Sequence, residues 1–287
     1  TGYGLTVFYG YKVERFKVEV VDVLHKFLPK QDLVLIKIDH PRLRKTGTVG
    51  GMSGSPIYLN GKLAGALAYG WRFAKEPIAG MTPIADMLEL LRRKPRGPAR
   101  AGFASTTRRQ QRALLAALQR RPAREHWRLP FRPIPRARGS VLTPVTVPLS
   151  AAGFPAASLK LLRSAFSAYG FEPVQGGGMG KASGPRRYVK GGAVAVQLVN
   201  GDMALTGTGT VTWAGVRRVL GFGHRMFNAG EIYIPALTAR INHTLASVSR
   251  SFKLSSPARV VGALVQDRQP GILVDPSRTV RTVPMTV

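Results

Sequence analysis

The chain of 287 residues contains no cysteine. Disulfides, a thiol nucleophile and cysteine-type metal sites are thereby excluded. Carboxylates are scarce: 14 Asp and Glu stand against 43 Lys and Arg, for a formal net charge of +29. The five histidines are scattered, with no HExxH or similar spacing, so neither a metal nor a cofactor is expected. No apolar run reaches the roughly 18–20 residues that cross a bilayer, and no signal-peptide pattern is present. The opening Thr1-Gly2-Tyr3-Gly4 lacks methionine and runs almost directly into a strand, as expected of a trimmed product.

The positive charge is unevenly placed. From Arg92 to Arg138 there are fifteen Lys and Arg against a single acid, Glu125. Such a field draws anionic lipid or nucleic acid non-specifically. Only Phe103, Trp127 and Phe131 interrupt it, too few aromatics for a base-stacking platform. The run is expected to be a solvated basic linker with no specific nucleic-acid partner. The cluster Gly176-Gly177-Gly178-Met179-Gly180-Lys181 fails as a phosphate loop, because Gln175 falls on the first glycine position and Ala182 on the Ser/Thr position.

The flanks read as short strands. Leu5–Tyr9, Phe16–Val23, Leu33–Ile38, Pro56–Leu59 and Lys62–Tyr69 precede a helix from Pro83. Another helix follows Pro155 and stops at Gly170. Strands resume at Ala193–Val199, Gly209–Trp213, Arg218–Phe222, Val260–Val265 and Ile272–Val274. This divides the chain into a β block at 1–92, an Arg/Pro-rich helical connection at 93–185 and a second β block at 186–287.

Within the first block, Gly51-Met52-Ser53-Gly54-Ser55-Pro56 precedes a hairpin whose turn is Asn60-Gly61. A serine on a tight glycine turn that leads into a strand is the way chymotrypsin-like serine peptidases present their nucleophile. Folded so tightly, the amides of Gly51 and Ser53 can converge beside the Ser53 hydroxyl as an oxyanion hole. The same six residues also suit a plain turn between strands. A serine nucleophile needs a base. His25, His40, His126 and His243 lie in unpromising contexts, whereas His224 ends the short apolar strand and glycine turn Val219-Leu220-Gly221-Phe222-Gly223-His224.

These motifs carry a resemblance. Leu5-Thr6-Val7-Phe8-Tyr9-Gly10, Glu14 to Val20, Pro41-Arg42-Leu43, the Gly51–Pro56 motif and Gly61 to Ala66 resemble the nucleophile-bearing end of the sporulation protein IV B (SpoIVB) serine peptidases, a family of the chymotrypsin-like clan. Gly209-Thr210-Val211-Thr212 and Leu220 to His224 resemble its histidine-bearing end, in permuted order. The resemblance implies a mainly β, chymotrypsin-like double β-barrel in permuted order with a helical, Arg/Pro-rich middle insertion. It implies a serine endopeptidase acting on protein or peptide substrates, with Ser53 as nucleophile, His224 as base and an extracytoplasmic or membrane-associated location.

The family's acid slot holds His40 here, with Asp39 one residue earlier. Asp39 is one candidate acid, and Asp267, which follows His224 in the second block, is the alternative. Met52 occupies the place where digestive enzymes carry the aspartate that pairs with a new N-terminus, so that activation switch is not expected. A peptidase-like binding module without catalysis, its basic middle docked to membrane or polyanion, is the other reading.

Overall fold

The computed structural model describes residues 1–71, 74–93, 142–180 and 183–284. The spacing of Leu114, Leu115 and Leu118 predicts a helix within the basic run; it and the rest of the run beyond Arg93 lie outside the described residues.

The first block forms β1 (Gly2–Tyr9), β2 (Lys12–Leu28), β3 (Gln31–Asp39), the short helix α1 (Pro41–Thr46), β4 (Pro56–Leu59), β5 (Lys62–Gly70), β6 (Ile78–Pro83) and α2 (Ile84–Arg92). The strands pair in the order β4-β1-β2-β3-β6-β5, and β4 pairs with β5 to close a six-stranded antiparallel barrel. The hairpin turn has the expected backbone, with Asn60 and Gly61 at φ 49° and 74°. Phe8, Phe16, Val18, Ile36, Ile38, Val49, Met52, Ile57, Leu67 and Met81 fill the interior. Met52 is fully buried there, which anchors the serine turn in the barrel's core.

The chain then contributes β7 (Thr143–Pro144) to the end of β5, at Tyr69 and Gly70 beyond its pairing with β4, before entering a second sheet. That sheet comprises β8 (Val147–Ala152), α3 (Ala156–Phe166) packed on β9 (Phe171–Gln175), β10 (Ala193–Val199), β11 (Ala204–Ala214), β12 (Val219–Gly221), β13 (Gly230–Leu245), β14 (Phe252–Arg268) and β15 (Gly271–Asp275). Its pairings run β10-β13-β14-β15-β12-β11, and β11 returns to β10, so this ring also closes, with β8 and β9 added alongside β11. The result is the mainly β double barrel that the resemblance implied, with the serine-bearing barrel first in the chain.

The connection is not wholly an insertion. Residues 147–175, inside the stretch read as helical linker, pair through β8 with Ala204–Gly207 of β11. Helix α3 runs on into a 3-10 turn, Ser167–Tyr169, which stops as expected at Gly170, left-handed at φ 80°. Strand β13 had no counterpart among the expected strands. It carries Pro235 and many polar residues, and it pairs with β14 from Gly230↔Asp267 to Leu245↔Phe252 through several bulges.

The barrels meet through two kinds of contact. Ala66 of β5 and Met87 and Leu90 of α2 pack with Leu220, Ala263, Val265 and Leu273 in one apolar cluster. Beside it lies a buried polar seam that includes Thr6, Thr208, Thr210, Thr212, Lys253 and Ser255. This seam holds the serine turn.

Candidate active site

The turn Val49–Ser55 is fixed peptide by peptide, and most of the hands that fix it come from the second barrel. The carbonyl of Gly50 accepts from the Lys253 amide at 2.9 Å. The Gly51 carbonyl accepts from the Thr210 hydroxyl at 2.9 Å and the Gly54 carbonyl from the Thr212 hydroxyl at 2.7 Å. The Ser53 carbonyl accepts from the Thr210 amide at 2.8 Å, and that of Met52 from the Ser55 amide at 2.9 Å. The amides of Gly50, Met52, Gly54 and Ser55 donate to Ser251, Val49, Leu67 and Met52. Three amides in the turn donate to no described residue: that of Val49 at its start, and those of Gly51 and Ser53, which flank Met52. In a trans peptide the N–H points opposite its C=O. With the Gly50 and Met52 carbonyls locked, the directions of the Gly51 and Ser53 N–H groups are locked as well.

The glycines are required by close approach. A Cβ on Gly54, at φ 94°, would lie 2.0 Å from the Thr210 carbonyl oxygen and 2.4 Å from the Phe222 nitrogen. Gly223, at φ 65°, faces Ala66, Ala68 and the Leu67 carbonyl, the same carbonyl that accepts from the Gly54 amide. The serine turn and the histidine turn thus touch backbone to backbone. The Thr82 hydroxyl of β6 adds a bond to the Gly223 carbonyl at 2.7 Å.

Ser53 is 0% and His224 2% exposed. The Ser53 hydroxyl and His224 Nε2 are both fully enclosed and have no hydrogen-bond partner among the described residues. Such orphaned polar atoms are rare in folded proteins, and each costs about 1–3 kcal/mol. His224 Nδ1 lies 2.7 Å from the Arg225 carbonyl. A carbonyl only accepts, so Nδ1 carries the proton and the neutral ring presents its lone pair at Nε2. Burial pushes the imidazole down to about 4, against the upward pull of the Arg225 and Val145 carbonyls. The ring packs edge-on to Tyr69 and Phe222, at centroid distances of 6.4 and 6.0 Å.

Neither candidate acid bonds the imidazole. The Asp39 carboxylate is gripped by the Arg44 guanidinium at 2.7 and 3.0 Å on the exposed edge of the first barrel, which holds it below the usual carboxylate range. His40, next to it, caps α1 through Nδ1 and stacks on Phe8. Asp267 is buried and accepts from the amides of Met226, Phe227 and Ala229 at 2.7, 2.6 and 3.3 Å. Burial pushes its carboxyl up, and the amide donors pull it back. Asp267 therefore shapes the loop that follows His224, and that loop supplies the Arg225 carbonyl that orients the ring.

Sequence reasoning named Thr210 and Thr212 only within the resemblance, gave the threonines of β11 no role at the site, and missed Lys253. The repeat Thr206-Gly207-Thr208-Gly209-Thr210-Val211-Thr212 was the available signal: hydroxyls alternate with small residues along a strand that must approach another backbone.

No curated protein and no solved structure matches the chain. Over residues 3–88, which hold Ser53, its turn and the barrel around it, the chain is similar to the SpoIVB peptidase S55 family.

Proposed function

We propose that the protein is a serine endopeptidase. The Ser53 hydroxyl attacks the scissile carbonyl carbon while His224 Nε2 takes its proton. The carbonyl oxygen gathers negative charge and is held by the amides of Gly51 and Ser53. Collapse of the tetrahedral intermediate breaks the C–N bond, and His224 returns the proton to the leaving amine. A water then enters by the reverse sequence and releases the acid from Ser53. The Arg225 carbonyl fills the orienting place that a carboxylate holds in a triad, so the pair works as a Ser/His dyad with Asp267 behind the loop.

One observation carries this reading. Two enclosed atoms without a partner among the described residues, a hydroxyl and an imidazole lone pair, sit on glycine turns that touch, beside the free amides of Gly51 and Ser53. The family similarity over residues 3–88 supports the same chemistry. A fluorophosphonate probe tests it on the intact chain: the parent is labelled, while Ser53→Ala and His224→Gln are not. Labelling that survives in Ser53→Ala would remove the serine from its role.

The burial of Ser53 favours a second reading specifically. A hydroxyl with no exposed surface does not reach a substrate unless the site opens, and a barrel that never opened would be a binding module. That reading expects a parent protein that is folded, unlabelled across the whole pH range, and bound to anionic vesicles through its basic residues.

A further inference from the structure

Lys253, the second residue of β14, is 1% exposed, yet no carboxylate pairs with it among the described residues. Its ammonium donates to the Thr6 hydroxyl at 2.7 Å, across the seam between the barrels. A lone buried ammonium is among the more expensive features a core can retain. Its place explains what it does. The Lys253 amide holds the Gly50 carbonyl at 2.9 Å, which sets the direction of the free Gly51 N–H. Its side-chain stem lies against Gly51: a Cβ built there would meet Lys253 Cβ and Cδ, each at 3.3 Å.

We propose that Lys253 is a positioning residue for the serine turn: it fixes the Gly50–Gly51 peptide and places a positive charge behind the Gly51 amide, where an oxyanion would form. The catalytic part of this rests on the peptidase reading; the coupling of Lys253 to Gly51 does not. An ammonium in a low-dielectric wall strengthens an adjacent N–H as a donor to developing negative charge. Burial alone pushes Lys253 down to about 7. The charge is therefore present below neutral pH and withdrawn above it, without unfolding.

Few other groups contribute to that titration. The serine turn, Val49–Ser55, carries no ionisable side chain, and neither do Thr208, Thr210 and Ser255 of the seam. On the flanking strands, Glu14 stands opposite Thr6 in register, and His243 precedes Thr244, the register partner of Lys253. Neither forms an ion pair with it among the described residues.

The test uses the intact chain with Lys253→Met, which keeps the stem and loses the charge, and Lys253→Arg, which keeps the charge at every pH. The rate of Ser53-directed labelling is expected to rise through the His224 range, hold, and fall again above about pH 7. Lys253→Met should lose that upper limb and label about tenfold more slowly at pH 6, less than the 10²–10³ of a lost oxyanion donor. For a peptide substrate the loss should fall on kcat with KM little changed. Lys253→Arg should keep the rate and shift the limb out of range. The second readout is independent of activity: the Gly51 amide nitrogen resonance should titrate near pH 7 in the parent and not in Lys253→Met.

A flat Gly51 resonance, or a Lys253→Met protein whose pH profile matches the parent while only its Tm falls, overturns the proposal. Should Lys253→Met fail to fold, the parent's Gly51 titration and the Lys253→Arg profile decide it. A parent that shows the Gly51 titration but no labelling upholds the coupling and strikes the peptidase reading alone.

Discussion

Two glycine turns lie within ten residues of each other and obey different rules. At Asn60-Gly61 the backbone turns because two adjacent residues adopt positive φ, and nothing lies within 4 Å of a Cβ added to Gly61. At Gly51–Gly54 the backbone turns because it is wedged. Met52 is sunk in the first barrel, carbonyls are pinned by Thr210, Thr212 and Lys253 of the second, and Gly54 lies against Thr210 and Phe222. The first turn is a local event that would form in any hairpin. The second exists only where two barrels meet, so the geometry of the serine is a property of the interface. A serine held this way keeps its geometry as long as the barrels stay docked, and any loosening of the interface reaches the turn first.

The sharpest way to break this distinction is Gly54→Ala. The methyl would sit 2.0 Å from the Thr210 carbonyl and 2.4 Å from the Phe222 nitrogen, at a φ of 94° that disfavours side chains. Backbone occupies both directions, so no side chain can rotate away. A loss on the order of 4 kcal/mol or more is expected in urea denaturation, together with loss of fluorophosphonate labelling.

The histidine side of the wedge makes a pH prediction. His224 is held near 4 in the folded protein, against an ordinary value of 6.5. Between these values the unfolded chain binds the extra proton, so stability rises with pH across about 4 to 6.5 and is penalised below it, by about 3 kcal/mol in all. His224→Gln should remove that rise in denaturation curves measured across the window. The same shift leaves the imidazole neutral, and so competent as a base, down to about pH 4. Labelling should therefore fall through that pH and not through 6.5.

The two aspartates sharpen the comparison at intermediate size. Asp267→Asn offers one oxygen to three amides that now share two, and turns an NH₂ toward N–H donors. About 2–3 kcal/mol of destabilisation is expected, with slower labelling as the Arg225 carbonyl loses its position. Asp39→Asn removes only an exposed ion pair with Arg44 and should leave labelling unchanged. If Asp39→Asn instead abolished labelling with Asp267→Asn silent, the loop would not be what orients His224.

What could be read in the sequence follows the same division. Asn60-Gly61, the helix stop at Gly170 and the strand leading to His224 were legible because their causes are local. The Gly51–Pro56 motif was legible as a tight turn around a serine, but not what it is wedged against. Thr210, Thr212 and Lys253 act on it from about 160 to 200 residues away. In Phe252-Lys253-Leu254 the lysine reads as the solvated member of an alternating strand, and only the closure of two barrels buries it. Asp267 was noticed for its place after His224, yet its partners are main-chain amides, which leave no mark on side-chain patterns. Strand β13 was hidden by Pro235 and by the polar residues of its far half, which bulged pairing with β14 accommodates.

The smallest expected effect belongs to the free turn. Gly61→Ala places a methyl in open space, so nothing is displaced, and the strain is only that of an L side chain at φ 74°. That is worth roughly 1 kcal/mol. Stability should fall by about this amount in urea denaturation, while the rate of Ser53 labelling stays at the parental value, because β4 and β5 keep their register through the remaining pairs from Pro56↔Ala66 to Leu59↔Lys62. A labelling defect in Gly61→Ala comparable to that of Gly54→Ala would mean that the hairpin carries strain into the serine turn, and the two turns would then be one mechanical unit.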